Sequence, residues 1–343
     1  MLFLDALRGV AALGVVCQHL YGALPEGAAP AAAWLNALMM FGSNGVAVFF
    51  VLSGCVIPYA VAEARITPGY IARFIARRFV RLDIPYWICI AAYLLAAKAM
   101  GKSTYEHVDA ATLAANLFYV NFALGLDAVV TVGWTLAIEI QFYLAYLLLL
   151  AAAQQFEQRV LPGRRDLCRH LVFGLPVFVS LLWQLKVIPD PEGPDRFFLQ
   201  PWLFFACGAA LTWTLFQGAP RWPVAVCVVG LLVSGVTAHE GANITGAVTG
   251  IAIFAVAVNG LMGRLGSSRA AQWFGTISYS LYLLHPLVGS RAIRMLATRM
   301  APPWSAWTST AAFTAGLAVS VAVASLFFVV VERPSQRLAR RIR

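Results

Sequence analysis

The chain has 343 residues, of which 61% are hydrophobic and only 12% are charged. Soluble globular domains are about 45 to 50% apolar and about 25% charged, so this composition excludes a soluble protein. There are 25 Lys and Arg residues against 15 Asp and Glu residues. In a membrane protein such an excess collects in cytoplasmic loops, so we expect no nucleic-acid partner.

Ten apolar runs follow one another along the chain, separated by Pro, Gly and charged clusters. Because a membrane-spanning helix needs about 20 apolar residues, they predict an all-α, polytopic membrane protein with about ten transmembrane helices. The runs cover residues 7–24, 44–62, 83–100, 132–153, 171–188, 200–216, 222–238, 243–262, 274–296 and 306–331. Since there is no repeat or linker, we expect one transmembrane domain over residues 1–343, without an appended soluble domain.

The basic residues predict the orientation of these helices. With both termini in the cytoplasm, most Lys and Arg residues lie on the cytoplasmic side, as the positive-inside rule requires. Residues 112–125 are apolar, but the segment is short and carries Asn116 and Asn121. A crossing there would invert every later loop, so we expect a re-entrant or interfacial helix.

The first predicted helix carries Arg8 and His19, eleven positions apart. Eleven residues make about three helical turns, so both side chains face the same way with an axial separation of about 16 Å. Ionisable groups inside a membrane are costly and usually mark a site. The alternative is an anchoring arginine and a histidine that bonds to a neighbouring helix.

Glu139 is a second charge inside a predicted span. A carboxylate there needs a cation or a proton, because an unpaired buried charge is unfavourable by several kcal/mol. By depth, His19 is the nearest plausible partner, and Glu139 would orient its imidazole and stabilise the protonated form. A purely structural bond between helices is the alternative.

Arginines at positions 73, 77 and 81, together with Arg78, form a basic stripe with i, i+4, i+8 spacing after the second predicted helix. Such a stripe is explained by topology and by anionic lipid headgroups. It is equally suited to a phosphate site, because arginine forks bind phosphate through two hydrogen bonds.

The ninth predicted helix carries Ser278, Tyr282 and His285 at i, i+4 and i+7, so that they share one face. Pro286 removes a backbone donor and predicts an interruption near a cavity. Hydrogen bonding between helices and contact with a ligand are equally good interpretations of these polar residues. The six cysteines show no CxxC spacing, so we expect neither a metal site nor a disulfide.

Six motifs in chain order resemble the membrane-bound acyltransferase-3 family of bacterial cell-surface carbohydrate acyltransferases. They are Leu4-Asp5-Ala6-Leu7-Arg8-Gly9 with His19, Phe49-Phe50-x-x-Ser53-Gly54, Arg77-Arg78-x-x-Arg81-x-x-x-Pro85, Trp134-x-x-x-x-Glu139-x-x-Phe142-Tyr143, Ser278-Tyr279-x-x-Tyr282-x-x-His285-Pro286 and Glu332-Arg333-Pro334. The resemblance implies transfer of an acyl group, usually acetyl, from cytoplasmic acyl-coenzyme A to a sugar hydroxyl. The acceptor would belong to exopolysaccharide, O-antigen or a similar glycan or lipid-linked saccharide.

Residue geometry and this resemblance together give the expected site. His19 is the general base and Glu139 its partner. Arg8, Arg73, Arg77, Arg78, Arg81 and Ser53 bind the acyl-coenzyme A donor, and Trp134, Tyr143, Tyr279, Tyr282 and His285 bind the acceptor. No permanently bound cofactor is expected, and the protein would lie among the lipids of the bacterial inner membrane. A transporter of a small solute or glycan precursor is the alternative function, and the sequence leaves both a monomer and a homo-oligomer open.

Overall fold

A computed structural model describes residues 1–26, 28, 39, 41–62, 64–99, 108–189, 197–300 and 303–342. Within these ranges every regular element is helical, which confirms the all-α prediction. The helices are α1 Leu2–Tyr21, α2 Gly45–Ala60, α3 Pro68–Arg78, α4 Ile84–Ala99, α5 Ala110–Leu117, α6 Trp134–Arg159, α7 Arg165–Gln184, α8 Trp202–Gln217, α9 Trp222–Thr237, α10 Gly241–Val258, α11 Arg269–Leu284, α12 Arg291–Ala297, α13 Ala306–Phe327 and α14 Arg333–Ala339.

Seven helical stretches in the described part of the chain are long and apolar enough to cross a membrane, and α8 and α9 are shorter apolar helices. The protein is therefore a multi-pass membrane protein. Each of the ten predicted apolar runs overlaps at least one helix. The ninth run is divided between α11 and α12, and the total of ten crossings stays a prediction.

The segment at residues 112–125 is helical only at its beginning. Helix α5 has eight residues, which give a length of about 12 Å against a hydrocarbon core of about 30 Å. The buried Asn116 side chain donates to the carbonyls of Thr112 and Asp127 and accepts from the Val129 amide. It thereby closes a compact turn after α5. A re-entrant position for this helix stays a prediction.

The chain divides into two compact units. The first unit comprises Met1–Leu4, Val46–Ile75 and Trp134–Leu265, and the second comprises Asp5–Gly45, Ala76–Gly133 and Gly266–Arg343. In the first unit the rings of Phe142 and Phe205 stack with their centroids 4.0 Å apart. A side chain at Gly208 would collide with the Val51 carbonyl, so α2 and α8 pack backbone against backbone, as small residues permit in membranes.

In the second unit, π-helical segments interrupt three helices. They are Phe79–Asp83 between α3 and α4, Pro286–Ser290 between α11 and α12, and Phe328–Glu332 between α13 and α14. Such segments are rare and occur frequently at functional sites. The interruption predicted at Pro286 is thus present. The other two contain no proline but are followed two residues later by Pro85 and Pro334, and the hydrophobic pattern did not predict them.

Candidate active site

His19 and His285 meet inside the second unit. His19 lies in the last turn of α1, and His285 directly follows α11 at the start of the π-helical segment. Their nitrogens, His19 Nδ1 and His285 Nε2, are 2.6 Å apart, and the ring planes are 11° apart with centroids 4.9 Å apart, so the nearly coplanar rings meet edge to edge. His285 is completely buried and His19 is half-buried. The pair joins a protected imidazole to a more accessible one.

The surroundings of His285 determine which nitrogens carry protons. Its Nδ1 lies 3.2 Å from the carbonyl oxygen of Leu281, and a carbonyl can only accept a hydrogen bond. In neutral His285 the proton therefore resides on Nδ1, and Nε2 must accept from the Nδ1 proton of His19. His19 is thereby held in the tautomer that has its lone pair on Nε2, which is the arrangement of a general base.

Tight packing fixes the pair in place. An apolar cluster in the second unit includes Leu20 of α1, Leu281 of α11, Ile293 of α12 and Ala324 of α13. A side chain at Gly289 would collide with Leu20 and with atoms of α13. The π-helical segment after His285 therefore packs closely against the helix that carries His19, which limits movement of either imidazole.

The polar residues of α11 bond to the other interrupted helices of the same unit. The Tyr279 hydroxyl donates to the Leu82 carbonyl at 2.7 Å, and the Ser280 hydroxyl donates to Glu332 Oε2 at 2.5 Å. The Tyr282 hydroxyl approaches the Val132 carbonyl at 3.5 Å. These hydrogen bonds connect α11 to other segments of the second unit. Acceptor binding by Tyr279 and Tyr282 stays a prediction.

Glu332 received no role from the sequence, although it belongs to one of the quoted motifs. It is 4% exposed, accepts hydrogen bonds from Ser280 and Gln336, and interacts electrostatically with Arg81. The available signal was its place in a family motif. Unlike Glu139, which lies inside a predicted span, Glu332 directly follows the last apolar run and resembled an ordinary helix-end residue.

Glu139 occupies a polar cluster of the first unit. The Ser53 hydroxyl donates to its Oε1 at 2.5 Å, and the Tyr143 hydroxyl, one helical turn further along α6, donates to the same oxygen. Trp134, also on α6, contacts Phe50 edge to face. Two of the residues predicted for donor and acceptor binding, Ser53 and Tyr143, are thus partners of the carboxylate. The predicted pairing of Glu139 with His19 stays a prediction.

The predicted basic stripe runs over two kinds of helix. Arg73, Arg77 and Arg78 lie on α3, but Arg81 falls within the π-helical segment. The alignment of Arg81 with the other arginines stays a prediction. Arg73 and Arg77 are exposed. Arg8 is half-buried, and its guanidinium lies 3.8 Å from the Asp5 carboxylate.

A family model described as an acyltransferase domain, that of the acyltransferase-3 family, matches residues 1–329. The chain belongs to the acyltransferase-3 family. This match, which contains five of the six motifs, confirms the family resemblance and the prediction of an acyltransferase, and it favours acyl transfer over the transporter alternative.

This acyltransferase-3 protein is similar to two curated proteins. It is 21% identical over 376 aligned positions to the peptidoglycan O-acetyltransferase OatA of Listeria monocytogenes, covering 97% of this chain and 55% of that protein. It is 24% identical over 326 positions to the putative peptidoglycan O-acetyltransferase YrhL of Bacillus subtilis, covering 82% and 47%. The chain thus spans about half the length of these relatives. No solved structure matches it.

Proposed function

We propose that the protein transfers an acetyl group from acetyl-coenzyme A to a hydroxyl group of a cell-surface polysaccharide or glycolipid. The family supports acyl transfer, and the names of both relatives support acetyl as the group and a cell-wall glycan as the kind of acceptor. The observation that carries the proposal is the hydrogen bond between His19 and His285, because it presents a lone pair on His19 Nε2.

In the proposed reaction His19 Nε2 takes the proton of the acceptor hydroxyl while the hydroxyl oxygen attacks the thioester carbonyl. The carbon–sulfur bond then breaks, and the leaving thiolate receives the proton from His19. The products are an O-acetyl ester and the free thiol of coenzyme A. His285 keeps the proton on His19 Nδ1 through both steps. A positioned base of this kind contributes about 10²- to 10⁴-fold to the rate.

Donor binding is proposed for the arginines. In the second unit Arg8, Arg77, Arg78 and Arg81 carry the charges that the phosphates of coenzyme A require, since arginine binds phosphate through paired hydrogen bonds. In the first unit Arg73 and Ser53 stay predicted donor contacts. Coenzyme A and its acyl group are co-substrates in this scheme.

Acceptor binding is proposed for aromatic residues of each unit. Tyr279 and Tyr282 belong to the second unit, and Trp134 and Tyr143 belong to the first. Aromatic rings offer apolar faces, and Tyr and Trp add a polar edge, a combination suited to sugar rings. His285, predicted as an acceptor contact, is better explained as the group that orients His19, because its Nε2 is engaged by His19.

We further propose ten crossings of a bacterial cell membrane with both termini in the cytoplasm. The distribution of Lys and Arg supports this orientation.

Glu139 stays our second catalytic candidate, as a carboxylate held inside a span by the Ser53 and Tyr143 hydroxyls.

The experiment uses membranes that contain the full chain, acetyl-coenzyme A labelled in the acetyl group, and a panel of purified surface polysaccharides. We expect label to enter a polysaccharide and to be released by mild alkali, as an O-acetyl ester requires. The His19→Ala protein should transfer label about 10²- to 10⁴-fold more slowly, whereas the His239→Asn protein, altered at an exposed histidine, should match the unaltered protein. Solute uptake without thioester cleavage would contradict the proposal.

A further inference from the structure

Three arginines lie on α12 or just beyond its end. Arg291 and Arg294 belong to the helix, and Arg299 follows it. The sequence contains no acidic residue from position 241 to position 331. In the proposed orientation α12 ends the ninth apolar run on the outer side of the membrane, where basic residues are normally scarce. The positive-inside rule therefore does not explain these three arginines.

The packing of α12 leaves Arg294 at the surface near the histidine pair. Ile293 is completely buried in the apolar cluster that also contains Leu20, whereas Arg294, one residue later, is exposed. The Ser290 hydroxyl approaches the His19 carbonyl at 3.5 Å, so α12 starts beside the end of α1. Arg294 interacts electrostatically with His19. An exposed positive charge therefore lies close enough to act on the proposed base.

Within the described part of the chain no carboxylate forms an ion pair with Arg294. Arg291 precedes it by three positions on the same helix. Residues three apart are neighbours on a helix surface, so two like charges lie side by side. An anion that bound both side chains would remove this repulsion. Arginine binds carboxylate and phosphate groups through paired hydrogen bonds.

We propose that the acceptor is an acidic saccharide, whose carboxylate or phosphate group binds Arg294 and Arg291 while its hydroxyl approaches His19 Nε2. This inference rests on the proposed acetyl transfer, because it names the class of acceptor for that reaction. The acceptor hydroxyl has to reach His19 to lose its proton, so an anion on the same molecule comes close to Arg294. Lipid headgroups would account for arginines anywhere on the membrane surface, but not for one whose charge acts on the base.

The chemistry of the acceptor provides the first test. Membranes with the full chain receive labelled acetyl-coenzyme A and each polysaccharide of the panel. Each polysaccharide is used untreated, with its carboxylates converted to neutral amides, or with its phosphate esters removed by cold hydrofluoric acid. We expect every polysaccharide that takes up label to carry one of these anions. Removal of that anion should lower kcat/KM at least tenfold, and the treatment that does so identifies the anion.

Replacement of Arg294 provides the second test. Arg294→Gln alters an exposed side chain, so the protein should fold normally. Its KM for the acidic acceptor should rise at least tenfold with little change in kcat, the pattern of lost ground-state binding. For the neutralised acceptor its KM should equal that of the unaltered protein. Arg294→Lys keeps the charge and should recover part of the loss. Arg269→Gln, at another exposed arginine of the second unit, is the matched control and should leave KM unchanged.

Three results would overturn the acidic acceptor while acetyl transfer itself stands. The first is equal labelling of treated and untreated polysaccharide. The second is an Arg294→Gln protein with the unaltered KM for the acidic acceptor. The third is an equal loss of kcat with acidic and neutralised acceptors, which would assign Arg294 to the reacting atoms. Absence of label from every polysaccharide would instead contradict the proposed transfer reaction.

Discussion

Each unit contains a polar cluster with a short hydrogen bond, the histidine pair in the second unit and Glu139 with its two hydroxyl donors in the first, and the two clusters differ in what the bonds leave free. In the second unit the two ring nitrogens of His285 bond to the Leu281 carbonyl and to His19 Nδ1. This arrangement leaves a lone pair on His19 Nε2. In the first unit two hydroxyls donate to one oxygen of Glu139, so the carboxylate is stabilised where it stands. The contrast is between a histidine that keeps a free lone pair and a carboxylate oxygen that accepts two hydrogen bonds.

The largest expected effect belongs to His19. Replacement of His19 by Gln keeps a polar side chain but removes the basic nitrogen, so kcat should fall by about 10²- to 10⁴-fold. The measurement is labelled acetyl transfer per mole of purified protein, with His239→Asn as the control. Full acetyl-transfer activity in the His19→Gln protein would show that His19 is not the base, so the two clusters would no longer differ in function.

Glu139→Gln tests whether the carboxylate does more than support the fold. The amide oxygen of Gln can still accept from Ser53 and Tyr143, so the melting temperature in detergent should change little. If the charge takes part in the reaction, kcat should fall by about 10- to 100-fold, or ~1.4 to 2.8 kcal/mol. Glu240→Gln, at a surface pair with Lys186, is the control. Unaltered kcat would give Glu139 a structural role only.

Gly289→Ala tests the packing that fixes the histidine pair. The added methyl group would collide with Leu20 and Ser320, and overpacking of this kind costs about 1 to 3 kcal/mol. The melting temperature should fall, and activity should fall with it as the imidazoles separate. Gly263→Ala, which meets open space, should change neither quantity. Equal stability of the two variants would show that the π-helical segment tolerates movement.

The smallest expected effect concerns the donor. Replacing Arg77 and Arg78 together by Gln should raise the KM for acetyl-coenzyme A by about 3- to 10-fold with little change in kcat, the pattern of lost ground-state binding. The control is the double replacement of Arg264 and Arg269 by Gln. An unchanged KM would assign Arg77 and Arg78 to membrane orientation alone.

Much of the fold was predictable because hydrophobic length alone determines where membrane helices form. The ten apolar runs overlap helices of the structure, and the short helix at Ala110–Leu117 explains why residues 112–125 lack a span. The π-helical segments at Phe79–Asp83 and Phe328–Glu332 were not predicted from the hydrophobic pattern, although Pro85 and Pro334 each lie two residues after the segment's end.

Sequence reasoning could single out candidate residues, but it could not show which of them contact one another. The rarity of charge inside spans singled out His19 and Glu139, and helical spacing singled out His285. Depth along a helix does not reveal which neighbour a side chain faces, so the pairing of Glu139 with His19 stays a prediction. Only the packing of α1 against α11 shows that His285 is the hydrogen-bond partner of His19.

The most direct test of the histidine pair is a double-mutant cycle of His19→Ala and His285→Ala, followed by kcat for acetyl transfer. Because His285 acts through His19, its replacement alone should lower kcat by about 10- to 100-fold with little effect on the acceptor KM. In the His19→Ala background it should cost nothing further, since residues that act as a unit are non-additive. A His285→Ala protein with full kcat, or one whose loss is the same with and without His19, would contradict the account.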